Sequence, residues 1–346
     1  MRKIILGLIL VVVAIVVAMM WRRGQPAPPV YETAFAGEDR VSVWNSTAEV
    51  REAVATLKFG DRVSVLEHDK DLTEIRTSRG ASGWVESRQL ISQEVWQRAS
   101  ELVTKAGSIP VQAFGHTHVP ANLHLEPGRD APRLLQLSRD VPVQMLARKV
   151  VAQQTPALGA TPPAARPGSA VNSTGQEWWL IRAEVTELGP VAGWTLSHFI
   201  ALDAPAPLPD YSTAAAMRLI AWFMLNRVPG DEGGDKPQYL TAGLKDSPGL
   251  VCDFNMLRVY TWGEKRRQYE TAFVGSNLCG KLPIRVKPAA ALGGDSEFYF
   301  VNVGEQDNEK FVYQMRQTSV RRVEGSAPNR ESTHARAPKP RGSHVH

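Results

Sequence analysis

The chain has 346 residues, 43% of them hydrophobic and 22% charged, a balance that suits two or three folded domains and excludes collagen-like and wholly disordered classes. Its basic excess is local: without the four bases flanking an apolar N-terminal run (Arg2, Lys3, Arg22, Arg23), and without the four bases and one acid of residues 326–346, 32 bases face 34 acids. Such a near-neutral body lacks the basic face that displaces phosphate counterions, so no nucleic-acid partner is expected.

Ile4 to Trp21 is eighteen residues without a charge, and at about 1.5 Å per residue a helix of that length nearly crosses a bilayer core. The run passes Val16-Val17-Ala18, a passable leader-cleavage site, and continues to Trp21 and Arg22-Arg23, an interfacial aromatic followed by basic anchors. A single-pass inner-membrane anchor over residues 1–24 is therefore expected, the partner of residues 4–21 being the membrane and the bulk of the chain periplasmic. A cleaved leader and a cytoplasm-facing anchor are the alternatives. Residues 25–37, with GQPAPP at their start, are read as a stiff linker.

From residue 38 to 92, short β-branched runs alternate with turn residues: Val41–Trp44, Arg62–Leu66, Thr73–Arg76 and Gly83–Val85. This spacing predicts a small antiparallel barrel. The string Leu57-Lys58-Phe59-Gly60-Asp61-Arg62-Val63, followed by Gly83-Trp84-Val85 and Leu90-Ile91, resembles the bacterial SH3 (SH3b) domain over about 55 residues. It departs at its start, where Val43-Trp44-Asn45-Ser46 replaces the family's usual opening strand and loop. Gln93 to Lys105 has helical spacing and predicts a linker helix within 93–110.

A second copy of the same resemblance spans 111–203. Asn122–Gly128 reads as its opening strand and loop, Leu137–Val143 as the second strand, Glu177–Arg182 as the third and Gly193–Leu196 as the fourth. The Pro/Ala/Gly/Ser-rich insertion 152–175 lacks aromatics and is expected to form a loop without a core of its own. The resemblance implies a binding module for a cell-wall peptide or an envelope protein. Trp84 and Trp194 are expected to pack within their barrels. Trp178 and Trp179 are adjacent, so on a strand they face opposite ways and one of them is expected at the surface. Trp178, Trp179 and Trp44 are the candidate ligand contacts.

Pro205–Pro209 lies in a linker, 204–212, before a β-rich domain over 213–324 whose hairpins loosely resemble those of β-propeller blades. Seven runs read as strands: Met217–Val228 (ambiguous with helix), Gln238–Leu244, Asp253–Trp262, Arg267–Val274, Leu282–Val286, Glu297–Val303 and Phe311–Val323. A turn at Gly263–Arg266 sets Tyr260 opposite Tyr269 and Met256 opposite Phe273. That register leaves Cys252 two residues out of step with Cys279. A bulge or a relaxed strand end would close the gap, and a Cys252–Cys279 disulfide is expected outside the cytoplasm, two separate buried thiols being the alternative. Residues 325–346 read as a disordered basic tail. The expected fold is mainly β: a transmembrane helix, two small SH3-like barrels and an antiparallel β-rich domain.

No catalytic constellation emerges. Gly115-His116-Thr117-His118 is similar to an element of calcineurin-like metallophosphoesterases, but the upstream Asp-x-His and Gly-Asn-His elements are missing. His116, His118 and His124 are read as surface histidines. A cysteine peptidase needs a thiolate paired with histidine, and Phe199 to Thr333 contains none. Asp231, Glu232 and Asp235 read as a solvated turn. The chain is expected to bind rather than catalyse, with no metal and no cofactor. The first reading is recognition by the barrels; the alternative is a scaffold whose C-terminal domain carries the partner site.

Overall fold

The computed structural model describes residues 32–152, 175–186, 188–230, 233–245, 252–304 and 308–324. The expected anchor (1–24), the body of the insertion (153–174) and the expected tail lie outside these residues. Among the described residues, no helix is long and apolar enough to cross a membrane. The protein is mainly β, with every strand pairing antiparallel, and it divides into two units at Gln97/Arg98.

The first unit contains one seven-stranded sheet built from β1 (Glu32–Ala36), β2 (Val41–Trp44), β3 (Ala53–Leu57), β4 (Arg62–Asp69), β5 (Leu72–Thr77), β6 (Ser82–Glu86) and β7 (Leu90–Ser92), in the order β3-β2-β6-β5-β4-β1-β7. The module begins at Glu32, not at residue 38. Residues 32–36 of the expected linker alternate outward and inward, and Ala34 and Ala36 enter the core while the strand pairs with β4 and β7. Val41, Val43, Val63, Val65, Ile75 and Val85 lie on one face and pack against each other. A single sheet whose face packs on itself must curl strongly, and the period-2 pattern of β-branched residues supplies that face. The turn into β4 uses Gly60 at φ +80°, where Asp61 accepts the Lys58 N–H at 2.9 Å. Trp96 stacks on Phe35 at 4.7 Å and approaches Phe59 at 5.5 Å.

The second unit opens with the larger part of helix α1 (Gln93–Ser108) and repeats the module. Its strands are β8 (Ala113–Thr117), β9 (Ala121–His124), β10 (Arg133–Leu137), β11 (Pro142–Ala152), β12 (Gly175–Val185), β13 (Gly189–Leu196) and β14 (Ile200–Leu202). Their order, β10-β9-β13-β12-β11-β8-β14, is that of the first module with every strand advanced by seven. The expected strand assignments shift accordingly. The module opens at β8, ahead of the expected opening strand at Asn122, and His116 lies in it; residues 138–141, inside the expected second strand, turn from β10 into β11 with Asp140 at φ +62° in the place of Gly60. Ala152 and Gly175, the ends of the expected insertion, pair with each other across β11 and β12.

The expected linker 204–212 holds most of α2 (Leu208–Ala214). Then come two four-stranded meanders: β15 (Arg218–Pro229), β16 (Asp235–Leu244), β17 (Met256–Gly263) and β18 (Gln268–Gly275) in one, and β19 (Gly280–Lys287), β20 (Ser296–Val303), β21 (Asn308–Arg316) and β22 (Ser319–Glu324) in the other. Their facing sides share one core, in which Ala221, Leu240, Leu257 and Val259 meet Ile284, Phe298, Phe300 and Tyr313. The ambiguous run at 217–228 is a strand. The last run divides in two at Gln317, whose φ of +52° makes the turn. The β17–β18 hairpin pairs Tyr260 with Thr271 and Trp262 with Tyr269, not Tyr260 with Tyr269, because the turn lies over Glu264–Arg267 and Arg267 takes φ +50°. Cys252 and Cys279 are bonded, with sulfurs 2.05 Å apart. What aligns them is a bridge between Phe254 and Gly280, where a Cβ on Gly280 would meet the Phe254 ring at 2.1 Å.

Candidate functional site

Register places one transverse row on the outer face of the first module. Glu67 stands opposite Glu74, Glu74 opposite Trp84, and Trp84 opposite Trp44, crossing β4, β5, β6 and β2. A residue pointing outward on each of these strands has its neighbours at the same level of adjacent strands. Gly83 allows β6 to come this close to β2, since a Cβ there would lie 2.4 Å from the Trp44 carbonyl oxygen. Glu67 is exposed, while Glu74, Trp84 and Trp44 are half-buried. The Arg51 guanidinium lies 4.7 Å from the Trp44 ring centroid, a cation–π contact that fixes one end of the row. Nothing among the described residues pairs with Glu67 or Glu74.

The second module carries the same row as Ala147, Leu180, Trp194 and His124. Here it is filled. Leu180, with Ala147 and Trp194 beside it, packs against Leu102, Val103 and Ala106 of α1, and Arg182 on the same face donates to the Ala106 carbonyl at 3.0 Å. Gly193 matches Gly83, for a Cβ there would meet Leu123 at 2.8 Å.

Trp178 and Trp179 are 1% and 2% exposed, which corrects the expectation that one of them reaches the surface. Both faces of β12 are covered. Trp178 lies on the α1-facing side with its ring edge-on to His124 at 5.4 Å. Trp179 lies on the side of Glu177, to which its indole N–H donates at 3.3 Å. Neither indole reaches the surface, whereas Trp44 is half-buried on the outer face of its module. Trp84 and Trp194, expected to pack within their modules, are both half-buried on the outer faces.

Glu177 centres a buried ionic cluster joining the second module to the C-terminal sheets. Its carboxylate accepts from Arg148 at 2.9 Å and from Arg218 at 2.7 Å, and Arg148 also donates to the Cys252 carbonyl at 3.2 Å. Burial pushes the Glu177 pKa up, but the hydrogen bonds and charges of Arg148 and Arg218 outweigh it and hold the value at about 2. Asp253, 3.7 Å from Arg148 and 3.8 Å from Lys281, goes the other way: burial raises its pKa against the Leu282 N–H and the two cations. This cluster is a structural joint, with each carboxylate engaged.

A second aromatic assembly covers the outer face of the β15–β18 sheet. Trp222, Tyr239, Tyr269 and Trp262 follow one another at centroid separations of 6.3, 5.9 and 5.3 Å. Tyr211 of α2 packs beside Tyr260 and donates its hydroxyl to the Tyr269 carbonyl at 2.9 Å. Burial, reinforced by Tyr239, pushes the Tyr269 phenol up to about 12. The assembly ends at a groove of about 720 Å³ lined by Trp262, Lys265, Arg266, Glu270 and Gln317. Alternation of Tyr260 with Trp262, and their pairing with the next strand, was its sequence signal.

The three histidines singled out in the sequence are used locally. His116 Nδ1 meets Asp203 at 2.8 Å, His118 Nε2 the His198 carbonyl at 2.6 Å and His124 Nδ1 the Ala131 carbonyl at 2.9 Å. Among the described residues, no group of His, Cys, Asp and Glu could hold a metal ion. Both cysteines of the chain are in the disulfide, so this form offers no thiol nucleophile.

No protein-family model and no curated protein matches the chain. Among solved structures, an NlpC/P60 family protein from Bacillus cereus is similar at 13% identity over 54% of this chain and 62% of its own, with a TM-score of 0.20. NlpC2 and NlpC1 from Trichomonas vaginalis are similar at 8% and 10% identity, covering 85% and 84% of this chain and 98% and 95% of theirs, with TM-scores of 0.18 and 0.17. The chain thus spans less than two thirds of the first of these, and similarity at these TM-scores fixes neither fold nor activity.

Proposed function

We propose that the chain is a cell-envelope binding protein, held in the inner membrane by residues 4–21 with its bulk in the periplasm, whose two modules are SH3b-like barrels. In this reading the first barrel engages a cell-wall peptide or an envelope protein through Trp44 and Trp84, and the second is a structural copy. One observation carries it: two modules of identical strand order present the same cross-strand row, filled by α1 in the second and open in the first. An open aromatic surface on a rigid sheet offers a large contact area at small entropic cost. The disulfide supports an oxidising compartment.

The test is co-sedimentation of the full chain with purified peptidoglycan at low and moderate salt. Retention that survives moderate salt and falls in Trp44→Ala and Trp84→Ala supports the reading. Retention unchanged in both variants, or absent throughout, overturns it. A second reading, a scaffold whose C-terminal domain holds the partner, is favoured by the Trp222–Trp262 aromatic face and its adjoining groove. It requires Trp262→Ala, and not Trp84→Ala, to abolish capture of the partner in membrane crosslinking.

A further inference from the structure

The chemistry of the open row goes further than its being aromatic. Between the two modules, Trp84 and Trp194 occupy the same position, but Glu67 and Glu74 stand where the second module has Ala147 and Leu180. The apolar pair is what α1 packs against. The carboxylate pair cannot take the same cover, because burying a charge without a partner is costly. Two carboxylates directly opposite on neighbouring strands also repel, and no cation among the described residues relieves them. At the other end of the row Arg51 already rests on Trp44, so the indole face accepts a cation in this setting.

We propose that this row is a binding site for an amine-bearing peptide side chain: an ammonium group lodged between Glu67 and Glu74, with its alkyl stem lying along Trp84. Carboxylates select the charge, and the indole buries the methylenes that a lysine-like or diamino acid side chain brings with it. The site lies wholly within the first module. The inference rests on the reading that the first module is the binding one, and it names the group that module recognises.

Titration calorimetry of the full chain in detergent, with a short lysine-bearing peptide and its Nε-acetylated counterpart, tests it. Acetylation is expected to weaken binding about tenfold, the worth of the ammonium's two exposed charge pairs with Glu67 and Glu74. Glu67→Gln/Glu74→Gln is expected to remove the difference between the two peptides without lowering the melting temperature, and the free-amine peptide should weaken as salt rises. Equal binding of the two peptides, binding by the double variant equal to the parent's, or no binding of either peptide overturns the site. The two proposals fail separately. Peptidoglycan retained through Trp44 and Trp84 whether or not its amines are acetylated keeps the envelope reading and sinks the amine site. A chain that takes the lysine peptide through Glu74 but stays in solution when peptidoglycan is sedimented does the reverse.

Discussion

The side chain of Gln112 pairs with the backbone of Ile284 as a neighbouring strand would. Its Oε1 accepts the Ile284 N–H at 2.8 Å and its Nε2 donates to the Ile284 carbonyl at 3.2 Å. The Gln112 backbone is used as well, its N–H donating to Met145 of β11 and its carbonyl accepting from Trp222 of β15. One residue, fully buried, thereby ties the second module to both C-terminal sheets and satisfies an edge position of β19.

Removing that amide takes a partner from the buried Ile284 N–H and from the Ile284 and Pro110 carbonyls. Gln112→Ala is expected to cost about 3 kcal/mol, three lost hydrogen bonds together with the desolvation of the orphaned groups. Chemical denaturation checks it. Gln112→Glu is expected to be at least as damaging, since one amide donor becomes a charged acceptor facing the Ile284 carbonyl.

Glu177 makes stability depend on pH. Its pKa in the fold is about 2, against about 4.3 for a free glutamate. A depressed folded-state value adds stability that is fully present above about pH 4.5 and is lost as pH falls toward 2, and the shift corresponds to about 3 kcal/mol. Asp253, whose pKa is raised by burial, contributes with the opposite sign, so its protonation on acidification offsets part of that loss. Glu177→Gln is expected to be destabilised by about 3 kcal/mol at pH 7, with Arg148 left short of an anion. Denaturation at a series of pH values should show the gap between variant and parent closing as pH approaches 2.

The Cys252–Cys279 bond closes a span of 27 residues and borders the Arg148 joint. On the chain-entropy account a loop of that size contributes about 3.5 kcal/mol by constraining the unfolded state. Cys279→Ala is expected to lose about that much, and reductant should lower the melting temperature of the parent but not of the variant. Non-reducing mass mapping should find the two cysteine peptides linked and no alkylatable thiol in the native protein.

Much of this architecture is written locally. The period-2 runs around Val41, Val63 and Gly83 mark strands of the first module, and the repeat of Gly-Trp at 83–84 and 193–194 signals the duplication. Boundaries failed where short polar strands lack that pattern. Glu32–Ala36 buries only two alanines, too small to stand out as a hydrophobic face. The hairpin register failed because Arg267 adopts a left-handed conformation that its residue type does not advertise. The candidate row was half legible. Trp44 and Trp84 drew notice singly, but their alignment with Glu74 and Glu67 depends on long-range pairing. So does the burial of both Trp178 and Trp179, which follows from layers on both sides of β12 rather than from the strand itself.

Tryptophan substitutions separate packing from contact. Trp178 and Trp179 sit in close-packed surroundings, and truncation there removes a large buried side chain and leaves a cavity. Each alanine variant is expected to lose about 3–5 kcal/mol, visible as a fall in melting temperature whatever ligand is present. Trp44→Ala removes a half-exposed ring whose other fixed contact is the Arg51 guanidinium, and it is expected to cost only about 1 kcal/mol of stability. Its effect should fall instead on retention by peptidoglycan. Trp178→Ala that melts with the parent, or Trp44→Ala that unfolds while Trp178→Ala does not, would reverse the assignment of which indoles hold the fold and which meet a partner.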